Sequence, residues 1–226
     1  MHRNTMIAIA SVAILFVTCT RSMNAQCKQY ILPNGDTLTC TVDVNGSKVY
    51  TDGAGNVYPA TPAGPGSGTF VVTNSSTEPC QAEFAVVDLN VESKEDQLGT
   101  ITTRADLKRD AKPSTIVSNA GNLISFLHGR GGAQALPEAD EFPATEDLYF
   151  YATATISSKP GKTYRSDQEI HLRSENVNSF NPHINETFKL TEGVDFREVL
   201  EDGTVSDEIA YTLTSATVVL NGAPGK

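Results

Sequence analysis

Four side chains in the C-terminal half have the chemistry of metal ligands. Glu169 and His171 stand two apart in QEIHLRSENV (168–177), which reads as a strand, so both project from one face. His183 and Glu186 lie in NPHINE (181–186), which reads as a loop. Two imidazoles and two carboxylates suit zinc or another divalent cation if that loop folds over the strand. The spacing matches no established ligand motif, so a solvated strand face beside Arg173 is the stronger reading and the metal site the minor one.

Other chemistry is weaker still. Glu138, Asp140 and Glu141, and later Glu201, Asp202, Asp207 and Glu208, are acidic clusters without the alternating pattern of a calcium loop, and they read as solvated charge. The run HGRGG (128–132) lacks the Lys-Ser/Thr ending of a phosphate-binding loop. No Gly-x-Ser-x-Gly occurs, so serine catalysis has no positive signal. Paired carboxylates for glycoside hydrolysis would have to rely on Tyr149, Tyr151 or Tyr164 for stacking, because the chain has no Trp. Asn45, Asn74 and Asn185 open glycosylation sequons.

The compartment follows from the first residues. Arg3 precedes an apolar run over 6–17, too short for a hydrocarbon core that takes about 20 helical residues, and it fits a secretory leader cleaved after Ala25. A lipid anchor on Cys19 is the rival, disfavoured because Phe16-Val17-Thr18 is a poor approach to such a cysteine. Losing residues 1–25 removes Arg3 and Arg21 and no acid, which moves the charge from -10 to -12. The expected product is secreted or periplasmic, with no transmembrane segment once the leader is gone. No basic face is available for nucleic acid. Of Cys27, Cys40 and Cys80, two pairings are open: Cys27–Cys40 across an Asn34-Gly35 hairpin, and Cys40–Cys80.

These residues need a scaffold, and its class is legible. Glycines number 17 and prolines 11, and after the leader no segment carries convincing helical periodicity. Short β-rich runs between turns predict an all-β fold, an antiparallel β-sandwich or partly open barrel. Residues 26–58 read as a small N-terminal hairpin unit, 59–68 as a Pro/Gly linker and 69–226 as the sandwich domain. Within it, Ala82, Phe84 and Val86 share one face and Val87, Leu89 and Val91 the other, a switch that predicts a β-bulge. Residues 128–147 read as a long loop, and 194–200 is ambiguous between strand and helical turn.

The strings VDLNVES (87–93), LGTIT (98–102) and IHLRSENV (170–177) resemble an uncharacterised bacterial all-β domain of unknown function. That resemblance covers about half of the mature chain, supports the fold and implies no activity.

The expected function is a secreted, non-catalytic binding or structural module with an extracellular or cell-surface partner and no cofactor. The alternative is an exported hydrolase or metal-dependent enzyme using Glu169, His171, His183 and Glu186. Assembly through an exposed strand edge or an unpaired cysteine is a third course.

Overall fold

The computed structural model describes residues 37–43, 47–77, 81–119, 142–178 and 185–222. The expected leader, Cys19, Cys27, Cys80, His128 and His183 lie outside them, so both expected cysteine pairings fall outside the described residues. Among the described residues there is no helix, and fourteen strands form one sheet paired antiparallel throughout.

The strands are halves of longer legs. β1 (Thr37–Asp43) and β2 (Lys48–Asp52) make the first, β3 (Val57–Pro62) and β4 (Ser67–Thr77) the second. β5 (Gln81–Glu95) runs alone; β6 (Gly99–Ala105) continues into β7 (Ser114–Ser118), and β8 (Ala144–Phe150) into β9 (Ala152–Ile156). β10 (Thr163–Ser166) leads into β11 (Ile170–Val177), β12 (Glu186–Leu190) into β13 (Val194–Val199), and β14 (Val205–Gly222) is the last leg. Each leg pairs with the next, and both halves of the first leg pair with β14. Eight legs in meander order thus close on themselves, the up-and-down way of removing sheet edges. The all-β expectation holds in its barrel form.

The closure is incomplete at one place. β11 and β12 pair only at Leu172–Leu190 and Arg173–Lys189, although β11 runs on to Val177 and β12 starts at Glu186. A polar cleft of about 570 Å³ fills the gap, lined by Arg173, Glu175, Asn178, Asn185 and Lys189 among others.

Two sequence readings are corrected here. Residues 59–68 are no linker: Pro59 pairs with Val49, Ala60 is buried, and β4 has begun by Ser67. The segment 26–58 is likewise no separate unit so far as it is described, since β1, β2 and β3 belong to the same closed sheet. Pro59 is tolerated because β3 is paired only to β2 at that height, β5 joining at Thr61 and Pro62. Of residues 194–200, all but Leu200 form strand β13, and the end of the expected loop, 144–147, belongs to strand β8.

The bulge falls where the pattern places it. Thr69 is opposite Asp88 and Phe70 opposite Val86, so Val87 is the extra residue. Parity shifts there, and Phe84 before it and Leu89 and Val91 after it all enter one core. At that end of the barrel reached by β5, turns are held by carboxylates. Asp52 accepts from the Ala54 and Asn56 amides and from the Tyr58 hydroxyl at 2.8–3.0 Å, and Asn56 above all holds its carboxyl down at about 2. Glu95 accepts from the amides of Gln97 and Leu98 at 2.7 and 2.6 Å. Asp202, expected as free loop charge, does the same for Thr204 at 2.9 Å.

Candidate functional site

The expected metal ligands are not brought together. Along β11 the buried residues are Ile170, Leu172, Ser174 and, past a register shift, Val177, so His171 and Arg173 point to the outside. Glu186 shares parity with fully buried Phe188 on β12 and is only 4% exposed, so it faces inward. His171 and Glu186 therefore stand on opposite sides of the wall. The Glu186 carboxylate accepts from the Asn178 amide at 2.8 Å. Glu169 accepts from the Lys112 amide at 2.6 Å, with the Lys112 ammonium 3.9 Å from its other oxygen. Among the described residues no three His, Cys, Asp or Glu side chains form a possible metal cage.

What His171 joins instead is a stacked row on the outer wall. Register sets Tyr149 opposite His171 and Asp147 opposite Arg173. The Tyr149 and His171 rings stack at 4.4 Å between centroids, and the Lys112 ammonium sits 3.8 Å over the tyrosine's ring. His171 Nε2 is 2.6 Å from Asp147 Oδ1, and Arg173 approaches the same oxygen at 3.4 Å. An Asp–His pair can hold a proton, and among the described residues no hydroxyl or thiol hydrogen-bonds the other ring nitrogen. Cross-strand pairs of this kind contribute about 0.2–1 kcal/mol each to a sheet, and that is the chemistry the row carries.

The interior is the better site. Inward residues of all eight legs enclose a void of about 40 Å³, lined by Phe70, Val86, Leu89, Val91, Leu148, Phe150, Ile170, Leu172, Phe196 and the apolar face of β14, with Lys48, Tyr50 and Thr103 from the remaining two legs. A second void of about 10 Å³ lies beyond Tyr50 and Phe196, among Leu98, Ile101, Ile156, Tyr164 and Tyr211. An eight-stranded barrel has an interior that side chains just fill or that holds one small ligand. Here it is not quite filled.

Sequence reading missed the residue that gives this interior its chemistry. Lys48 lines the larger void, 5% exposed. It alternates with Tyr50 on β2, both inward. Its cross-strand neighbours are Ala60 and Ala216, and Ala216 lines the void with it. Burial lowers its ammonium to about 8 and raises the Tyr50 phenol to about 12, the Thr103 and Ser93 hydroxyls pulling the phenol the other way. No charged partner among the described residues acts on Lys48, and burial alone accounts for its shift. The alternation Val49/Thr51 against Lys48/Tyr50 offered a face to either side, so only register could have exposed it.

No family model and no curated protein matches the chain. Among solved structures it is similar to DynF from the dynemicin biosynthesis pathway of Micromonospora chersina, at 13% identity and a TM-score of 0.60, over 85% of this chain and 83% of that one. The likeness is one of fold alone. Among the described residues no helix is long and apolar enough to cross a membrane.

Proposed function

We propose that the chain is an exported, non-catalytic binding protein that holds a small, mostly apolar molecule inside its barrel. The observation that carries this reading is the void of about 40 Å³ among apolar side chains on the barrel axis. Packed interiors leave few voids larger than a water molecule, and an apolar void of about 150 Å³ takes up benzene, so this smaller one suits an apolar ligand of only a few heavy atoms. Ligand pockets are mostly apolar with a few polar groups to set orientation, and barrel mouths are among their usual places. The leader over residues 1–25 supports export.

Thermal melts under increasing xenon or cyclopropane pressure, probes of only one to three heavy atoms, test the reading. Saturable stabilisation is expected, since a ligand that binds only the folded state raises its stability with concentration. A flat or merely destabilising response to both probes would overturn it.

A further inference from the structure

We propose that the cleft between β11 and β12 is a second binding site, on the barrel wall and independent of the interior void, and that its ligand is a neutral mono- or disaccharide. The cleft is a bounded hollow. At one end the strands are joined by the Leu172–Leu190 and Arg173–Lys189 pairs. At the other the Asn178 amide donates across the gap to the Glu186 carboxylate at 2.8 Å. The volume of about 570 Å³ falls within the range of ligand clefts, about 300–1,000 Å³.

The lining selects the chemistry. Among the described residues that form it, Leu190 alone is apolar and none is aromatic, so an apolar molecule would bury little greasy surface there. Charge is balanced, Arg173 and Lys189 against Glu175 and Glu186, which gives no net field for a strongly charged ligand. What remains is hydrogen bonding in both directions. Asn176, Asn178 and Asn185 each carry donors and an acceptor, and the Thr187 hydroxyl is both. Asn178 uses its side-chain amide on the Asn176 carbonyl; among the described residues the side chains of Asn176, Asn185 and Thr187 are uncommitted.

The main chain adds to them. The Thr191 amide donates to the His171 carbonyl, and Arg173 stands opposite Lys189, so alternate residues of β12 turn their N–H and C=O groups toward β11. Thr187, two before Lys189, therefore turns its own into the gap. Sugar hydroxyls donate and accept at once and match such a wall. An inserted peptide strand fits it less well. Arg173, Glu175 and Lys189 put charges on the two edges, the register shift between Ser174 and Val177 disturbs β11, and both ends of the cleft are closed. With no ring to stack on the sugar, affinity rests on hydrogen bonds and is expected in the millimolar range.

The experiment titrates the isotope-labelled full chain with glucose, galactose, mannose, N-acetylglucosamine, maltose and cellobiose, read by amide chemical shifts. At least one sugar should give saturable shifts confined to residues 173–178 and 185–191. Asn176→Ala and Thr187→Val, both at exposed positions, should each weaken that binding about 5-fold or more while leaving the melting temperature unchanged. The absence of a saturable shift with every one of these sugars would overturn the proposal. Shifts centred elsewhere, or binding untouched by both variants, would overturn the assignment to this cleft. A peptide of alternating Thr and Val that binds at these residues where the sugars do not would also overturn it, in favour of strand addition.

Discussion

A lysine held in an apolar interior makes the empty protein less stable than it need be, and the sign of that effect with pH can be worked out. The Lys48 ammonium goes from 10.5 in the unfolded chain to about 8 in the fold, which at about 1.36 kcal/mol per pH unit corresponds to roughly 3 kcal/mol. The unfolded state binds more protons between those values, so stability rises with pH across that window. The penalty is complete below pH 8 and gone above 10.5. Lys48→Met should therefore unfold with about 3 kcal/mol more stability at pH 7, and the gain should shrink to the small packing difference by pH 10.5; urea melts at both pH values check this, and a gain unchanged by pH contradicts it. Higher still the sign reverses. Burial raises Tyr50 and Tyr164 to about 12, so their contribution is intact below pH 10 and is lost as pH climbs toward 12. A second residue-scale case is Gly99, at φ 73°, where an added Cβ would meet the Ser157 Oγ at 2.3 Å. That oxygen accepts from the Thr100 amide at 2.8 Å and cannot swing away without losing the bond. Gly161 has a similar φ of 80° but open space around it. Gly99→Ala should cost about 2–3 kcal/mol in chemical denaturation, and Gly161→Ala only the backbone part, about 1–2 kcal/mol.

Among the elements, β5 shows how much a sequence can reveal when period and burial agree. Ala82 and Phe84, then Leu89 and Val91, change parity across Val87, and a single extra residue is the one arrangement that keeps all four in the core. Deleting Val87 should force one half of β5 to turn its side chains outward. Exposing Phe84 alone, now fully buried, would cost about 3–5 kcal/mol, so the deletion should abolish cooperative unfolding at room temperature. Val87→Ala keeps the residue count and should cost little by comparison; thermal melts of the pair separate register from packing. The segment 59–68 was not legible in the same way. Its prolines and glycines carry turn propensity, and only the tertiary pairing of Pro59 with Val49 and of Ser67 with Asn90 makes its two ends strand, leaving 63–66 as the connection between β3 and β4. His171 and Glu186 failed as a site for a related reason. Residue type named them as ligands, but strand parity, set by pairing partners far away in sequence, put them on opposite sides of one wall.

At the scale of the molecule, the first leg is the piece whose removal tells whether the chain is one closed barrel or a sandwich with an appendage. Thr41, Val42 and Asp43 pair with Asn221, Leu220 and Val219, while Lys48, Tyr50 and Thr51 pair with Ala216, Leu213 and Thr212. On the other side β1 and β2 pair with β4 and β3. Removing residues 1–52 therefore opens two strand edges at once and takes away Lys48 and Tyr50 from the interior. Open edges bind other open edges, so the shortened chain should self-associate or melt without cooperativity, as read by light scattering after size-exclusion chromatography and by calorimetry. A synthetic peptide spanning 36–53 should restore a monomer-sized species if it can refill the gap. An appendage would behave otherwise. Were the shortened chain to stay monomeric and melt like the full one, the closed ladder would be wrong, and with it the enclosed interior on which the binding reading stands.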